Sequence, residues 1–451
     1  MKKLIFPLMA SLFINFVTVV HAQSKDDIYQ AQRLLNSLGL NAGSVDGIWG
    51  SRSLAALNKF YRDRGLKFDG QLDTNEINDL LGTVKIRSIS TSTDLRYAKV
   101  CEGIDTGKAD KMFSVIRSLK QPEKHYQYEN IGISIIADLY SDGILNGVTR
   151  FHSYKTPRPL RKNIQFFSPI KKQMRSISEG MFFANEQPLT KEIRKITQGD
   201  LNADGIVDLV FFDYGEHDGS LHDGQVIILM SIKNNYEWKI LDVPSDLRIH
   251  TGVLIDVDGD KDLDIVYGAS SKNGKYKNTI FGLKNDGFGA FTKFDTPNVN
   301  SRIGWSWISF NASDIDNDGY HDLIMEFRKW KSGVYGTRIL WGSEAGVFSR
   351  MSKTDIKSRI VKQRDILMDA VVVPDGTTSH IYATYAEDDY QAGTKFVKFS
   401  FKGRKLVSES LITSNVFKTS NWINTIYPCE SGYKVFTFRK SNFDMSDHIK
   451  D

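Results

Sequence analysis

The chain has 451 residues, room for more than one domain and an ample core. Its make-up is that of a folded protein, 41% hydrophobic and 12% aromatic. The net charge of +5, which falls to +3 without Lys2 and Lys3, is too mild to argue for a nucleic-acid partner.

Residues 1–22, MKKLIFPLMASLFINFVTVVHA, have the layout of a secretory signal. Lys2 and Lys3 form the charged region, an apolar run extends from Leu4 to Val20, and Ala22 precedes a cut at Gln23. The run is short for a span, and no later stretch is apolar enough to be one. The chain is therefore expected to be exported, periplasmic or secreted, and not membrane-spanning; an uncleaved anchor is the alternative. The only cysteines, Cys101 and Cys429, would then meet an oxidising compartment. A disulfide between them is expected, with two buried free thiols as the alternative.

Residues 24–83 read as three short helices. Ser24 with Asp27 has the spacing of a capping box. Ile28, Ala31, Leu34, Leu35 and Leu38 form one apolar face. GSVDGIWGSRS then breaks the chain, and Ser51 can cap a second helix carrying Leu54, Leu57, Phe60 and Tyr61. Thr74 can cap a third, with Ile77, Leu80 and Leu81 inward.

The stretches AQRLLNSLGL, DGIWGSRSLAALNKF and GLKFDGQLDTNEINDLL follow the order helix, Asp-Gly-aromatic-Gly turn, helix, Gly-Leu turn, short helix. This segment resembles the peptidoglycan-binding domain type 1 family. The resemblance implies a non-catalytic contact with cell-wall peptide or glycan, at Asp46, Gly47, Trp49, Gly50, Arg52 and Tyr61. The residues suit such a role. Trp49 stands in a glycine-flanked turn that can bare its ring, Gly47 and Gly50 allow close backbone approach, and Arg52 and Arg62 can meet carboxylates. Tyr61 departs from the family, which usually has Gln there. Packing in a tiny core is the other reading of Trp49 and Phe60.

Ser/Thr density in TVKIRSISTSTD marks residues 84–95 as a linker. Beyond it, residues 96–451 carry three acidic loops, DLNADGIVDLV, DVDGDKDLDIV and DIDNDGYHDLI. They open at Asp200, Asp256 and Asp314, spacings of 56 and 58 residues, a period that points to a repeat architecture. Weaker copies begin at Asp138 and Asp369 and fall near Tyr427; these eroded loops are expected to bind nothing. Short β-rich runs follow each loop. The expected fold is thus a small three-helix all-α domain followed by an all-β propeller of six or seven blades.

The loops have calcium chemistry, since a short loop offering oxygens at positions 1, 3, 5, 7 and 9 can wrap the ion. The first offers Asp200, Asn202, Asp204, the carbonyl of Ile206, and Asp208. The second offers Asp256, Asp258, Asp260, the carbonyl of Asp262, and Asp264. The third offers Asp314, Asp316, Asp318, the carbonyl of Tyr320, and Asp322. Gly205 and Gly319 permit a sharp turn at position 6, where the second loop has Lys261. Position 12 holds Phe211, Tyr267 and Met325, not the Glu of an EF-hand, and the flanks are strand-like. The pattern resembles the FG-GAP and VCBS repeats of integrin-alpha-type propellers. That resemblance implies Ca²⁺ in the loop between the first two strands of a blade, so three calcium ions are expected. Solvated acidic turns without metal are the alternative.

No His-Glu-x-x-His, Gly-x-Ser-x-Gly or L,D-transpeptidase signature appears. EHDGSLHDG gathers His217, Asp218, His222 and Asp223, a transition-metal set or, more simply, a polar inter-strand loop. Trp305 and Trp307 alternate before the third loop, as core packing or a sugar platform. The leading expectation is a non-enzymatic envelope protein, tethered to peptidoglycan and presenting the propeller to a glycan or protein. The alternative is a wall- or polysaccharide-acting hydrolase or lyase.

Overall fold

The computed structural model describes residues 24–80 apart from 39, residue 83, and, between 128 and 445, the strands with most of the turns that join them. The chain divides into two compact units between Leu80 and Leu81.

The first unit has three helices. In α1 (Lys25–Ser37), the Ser24 hydroxyl accepts the Asp27 N–H while the Asp27 carboxylate accepts the Ser24 N–H, a full capping box. α2 (Ser51–Arg62) starts from Gly50 with no side-chain cap, so Ser51 is its first residue and not its cap. α3 (residues 74–80) is capped by Asp73 and not Thr74. Asp73 accepts the Asn75 N–H at 2.6 Å, and its own N–H donates to Glu76 at 2.9 Å. A carboxylate at a helix N-terminus is favoured over a hydroxyl by the helix dipole. Ala31, Leu34, Leu35, Leu57, Phe60, Ile77 and Leu80 are buried between the helices.

The second unit is a β-propeller of antiparallel sheets, each a meander in chain order. The first sheet holds β1 (Tyr128–Ala137), β2 (Asn146–Ser153), β3 (Ile164–Ser168) and β4 (Gln173–Arg175). The second holds β5 (Ile193–Gly199), β6 (Asp208–Asp213), β7 (Gln225–Ile232) and β8 (Asn235–Ile240). The third holds β9 (Leu247–Ile255), β10 (Asp264–Ser271), β11 (Thr279–Asn285) and β12 (Phe291–Phe294). The fourth holds β13 (Phe310–Ser313), β14 (Asp322–Lys329), β15 (Val334–Leu340) and β16 (Lys353–Asp355). The fifth holds β17 (Ile366–Asp375), β18 (Thr378–Glu387), β19 (Gly393–Lys402) and β20 (Lys405–Ile412). The sixth has three described strands, β21 (Trp422–Cys429), β22 (Gly432–Phe438) and β23 (Phe443–Met445).

The first strands β1, β5, β9, β13, β17 and β21 touch in succession, and β21 returns to β1. The core lies between consecutive sheets. Phe211 and Trp238 of the second sheet pack with Val148 and Phe166 of the first. Val210 and Phe212, on the other face of the same strand, pack with Ile249 and Ile265 of the third. This is why β6 reads DLVFFD with no polar alternation: it is buried on both faces. Equivalent clusters join the third sheet to the fourth and the fourth to the fifth.

The register of the first hairpin slips just before Lys195 in β5 and just before Asp369 in β17. Such a bulge re-aims the side chain that follows it. Lys195 Nζ donates to Asn311 Oδ1 of β13 at 3.3 Å and to the buried Asp369 Oδ1 at 3.4 Å. Because these three residues stand on the first strands of the second, fourth and fifth sheets, the ammonium reaches across the middle of the ring. Asp369, which opens one of the weaker sequence repeats, is therefore a strand residue and not a loop ligand. The turn of that hairpin comes later, where Asp375 pairs with Thr378. So short a turn has no loop in which to seat an ion. Tyr427 likewise lies within β21, paired with Lys434.

Candidate functional site

Each acidic loop joins the first two strands of its sheet: β5 to β6, β9 to β10, and β13 to β14. Strands bracket all three, as their flanking sequences predict. The side chains at positions 2 and 8 are buried in every loop: Leu201 and Val207, Val257 and Leu263, Ile315 and His321. These two anchors hold the loop down at both ends. His321 is thus a core residue, its imidazole pushed down to about 4 by burial.

The backbone turns alike in the three loops. Position 4 has positive φ in each: Ala203 at 57°, Gly259 at 80° and Asn317 at 59°. Gly205 and Gly319 at position 6 do too, at 80° and 89°. The second loop therefore has its glycine at a shared left-handed position; Lys261 lies outside the described residues. Position 5 accepts the N–H of position 7 throughout: Ile206 to Asp204 at 2.8 Å, Asp262 to Asp260 at 3.1 Å, Tyr320 to Asp318 at 3.0 Å. Each of these turns is the Asx type that a short carboxylate forms with its own backbone.

The ninth-position carboxylates make a recurrent clamp. Asp208 accepts the Leu201 N–H at 2.7 Å and the Ser231 N–H, on β7, at 2.6 Å. Asp264 accepts Val257 at 2.8 Å and Asn285, on β11, at 2.7 Å. Asp322 accepts Ile315 and Gly342, the latter just past β15, each at 2.8 Å. Every one ties the start of its loop to the third strand of its sheet or to the residues just past it. All three are fully buried, and burial raises their pKa: Asp208 well above the carboxylate range, Asp264 to about 9, Asp322 to about 8.

The remaining acidic groups crowd together. Asp314, Asp316 and Asp318 each bring a carboxylate oxygen within 4.8 Å of the others, and so do Asp256, Asp258 and Asp260. In the first loop, burial and the neighbouring Asp204 push Asp200 up to about 7. Asn202 Nδ2 donates to the Ser231 carbonyl at 2.7 Å, which leaves its oxygen toward the loop, where it accepts the Asp204 N–H at 3.2 Å. Oδ1 of Asp258 and Oδ1 of Asp316 are buried and accept no hydrogen bond. An all-oxygen donor set, crowded carboxylates and orphaned buried oxygens at position 3 fit a hard divalent cation such as calcium. When bound, the ion would supply the positive charge that lets the carboxylates ionise together.

In the helical unit, sequence reasoning missed the residue that builds the turn. Gln32 is buried, and its Nε2 donates to Asp46 Oδ1 at 3.1 Å, the Ile48 carbonyl at 2.9 Å and Ser53 Oγ at 3.1 Å. Its Oε1 accepts the N–H groups of Asp46 and Gly47 at 3.1 and 3.0 Å. A glutamine on the inward stripe of α1 was the available signal. Asp46 also accepts the Ile48 N–H at 2.9 Å, so it shapes the turn from within. At Gly47, with φ of 70°, a Cβ would lie 2.6 Å from the Tyr29 ring. Trp49 is half-buried, while Ile48, Gly50 and Arg52 are exposed. Tyr61 lies in the core at 5% exposure, with its ring stacked on Phe68 and its hydroxyl donating to Asp79 at 2.8 Å. It presents no surface to a ligand.

His222 Nε2 lies 2.9 Å from the buried Asp213, which also accepts the N–H groups of Lys191 and Glu192. That arrangement is a strand-edge polar network. His217, Asp218, Trp305, Trp307 and Cys101 lie outside the described residues, so the Cys101–Cys429 pairing has no geometry here.

A three-helix unit joined to a propeller with acidic first-hairpin loops defines the class. Residues 24–79 match the peptidoglycan binding domain family, and residues 256–325, spanning the second and third loops, match the FG-GAP-like repeat. No curated protein matches the chain. Among solved structures, the chain is similar to the Dos1 propeller, with 13% identity over 67% of this chain and 69% of that one and a TM-score of 0.35. It is similar also to an alpha-L-arabinofuranosidase from Fusarium graminearum, with 9% identity over 73% and 96% and a TM-score of 0.44. A GH43 endo-arabinanase from Bacillus licheniformis gives 12% identity over 53% and 88% and a TM-score of 0.30. Likeness this slight says nothing of substrate or activity.

Proposed function

We propose that this is an exported cell-envelope protein, periplasmic or secreted, tethered to peptidoglycan by residues 24–83. Residues 96–451 present a calcium-stabilised propeller to a glycan or protein. The observation that carries this reading is the union, in one chain, of a segment matching a peptidoglycan binding domain with a propeller whose loops crowd carboxylates. Among the described residues no helix is long and apolar enough to cross a membrane.

Peptidoglycan contact is assigned to the turn that Gln32 organises, with Ile48, Trp49, Gly50 and Arg52 facing the wall. Asp46 and Gly47 shape that turn. Three calcium ions are assigned to the loops, with carboxylates at positions 1, 3 and 5 as principal ligands, Asn202 serving at position 3 of the first. The carbonyls of Ile206, Asp262 and Tyr320 and the carboxylates of Asp208, Asp264 and Asp322 complete the sets. Six described sheets whose first strands return on themselves support a six-bladed ring.

Sedimentation of the purified full chain with isolated sacculi tests the tether. Wild type should co-sediment, and Trp49→Ala should bind at least about tenfold more weakly, as for loss of an aromatic hot spot, with an unchanged circular dichroism spectrum. A wild-type chain that stays in the supernatant would remove the tether from the reading. Metal analysis of the native protein tests calcium.

A further inference from the structure

Two of the three acidic loops already face a basic side chain. Lys284, on β11 of the third sheet, pairs with Asp258 and lies 3.5 Å from Asp260 Oδ2 of the second loop. Arg404 comes from further away. It sits in the turn between β19 and β20 of the fifth sheet and crosses to the third loop, on the fourth. Its Nε donates to Asp316 Oδ2 at 2.5 Å and its Nη2 to Asp318 Oδ2 at 3.1 Å. The same guanidinium lies over the Trp341 ring at 5.4 Å and donates to the Gly342 carbonyl at 3.4 Å. It is therefore seated, not merely nearby.

One of the two carboxylates it meets is only half satisfied. The Asp316 side chain is 6% exposed, and its Oδ1 is buried with no hydrogen-bond partner. Asp258 Oδ1 is in the same condition. One monovalent side chain thus stands against the carboxylate pair at positions 3 and 5 in each loop and uses part of its donor capacity. A divalent ion that coordinates the Oδ2 atoms now held by the side chain competes with it for them, and the guanidinium stays charged at all physiological pH. Ligation through both oxygens of the carboxylate displaces the side chain.

We propose that Arg404 and Lys284 are built-in competitors for calcium that set the affinity of the third and second loops, so that metal entry is an exchange that displaces the side chain. This rests on the calcium reading of the loops. At the third loop the exchange has a structural consequence. Arg404 ties the third loop to the neighbouring fifth sheet, and on the exchange calcium replaces that inter-sheet tie by ligation within one loop.

The test compares wild type, Arg404→Gln and Lys284→Gln as full chains stripped with chelator. Calcium binding is read by titration calorimetry and stability by thermal melts with chelator and with saturating calcium. Each variant should bind one calcium about ten- to a hundredfold more tightly, the range for removing one charge-assisted hydrogen-bonded competitor. Arg404→Gln should melt lower than wild type in chelator and level with it in calcium. A residue that only braces the fold would lower both melts alike, and that result overturns the proposal. Unchanged calcium affinities in the variants overturn it too. A wild type that binds no calcium removes the calcium reading itself along with the exchange. Lys284→Gln, in a different sheet, carries the comparison if Arg404→Gln does not fold.

Discussion

Replacing Asp322 by alanine removes the acceptor for two buried backbone donors, the N–H groups of Ile315 and Gly342, each 2.8 Å from a carboxylate oxygen. Both donors face a fully buried position, away from bulk solvent. An orphaned buried donor costs about 1–3 kcal/mol, so Asp322→Ala should destabilise the propeller by about 2–6 kcal/mol. Asp322→Asn keeps one carbonyl acceptor and turns an amide on the other donor, so about 1–3 kcal/mol is expected. The cost belongs to the clamp and not to any ion, and it must persist in chelator. Asp316→Asn gives up a pair with the half-exposed Arg404 and should cost under about 1 kcal/mol in the same buffer. Urea unfolding of the stripped full chain, followed by tryptophan fluorescence, measures all three. A stripped Asp322→Ala chain whose midpoint matches wild type would show that the ninth-position aspartates do not hold the hairpins.

The metal-free propeller should lose stability as pH rises. Asp200, Asp322 and Asp264 have folded-state values raised to about 7, 8 and 9, above the ordinary 3.8, so the folded form holds protons that the unfolded chain gives up. Their contribution is full below about pH 4 and is lost as pH climbs through 7 to 9. Calcium should reverse the trend, since it binds the ionised groups; melts from pH 5 to 9 with chelator and with calcium check both signs. In the helical unit, Gln32→Leu leaves the N–H groups of Asp46 and Gly47 without their acceptor. It should cost at least about 2 kcal/mol and abolish sacculus binding with it, read by far-ultraviolet melts and co-sedimentation.

The acidic loops were legible because their chemistry is local: alternating oxygens, a turn, and then an apolar strand. The buried anchors at positions 2 and 8 sit in the same strings, and Leu201, Val257 and Ile315 could have been read there as the inward phase of the loop. Non-local partners could not be. Nothing in the sequence around Gly403 says that the next residue reaches Asp316, 88 positions earlier. The ninth-position aspartates are another case. Their spacing reads as ligation, yet their partners include backbone donors on β7, on β11 and just past β15, fixed only once the sheet has formed. The weaker repeat at Asp369 keeps the spacing without the loop, because its acidic residue stands inside a strand. Capping was read to within a residue: Ser24 was found, whereas Gly50 and Asp73 were passed over for their hydroxyl neighbours.

Lys195 meets its acceptors Asn311 and Asp369 only 116 and 174 residues further along the chain. A stacked solenoid can be cut between repeats because each unit touches only its neighbours. Here a polypeptide ending after the third sheet would hold an ammonium whose distant acceptors have not been made. One beginning after it would sink the Asp369 carboxylate without that counter-charge, a costly state. The wheel therefore has a hub, and neither half should persist as a stable fragment by itself.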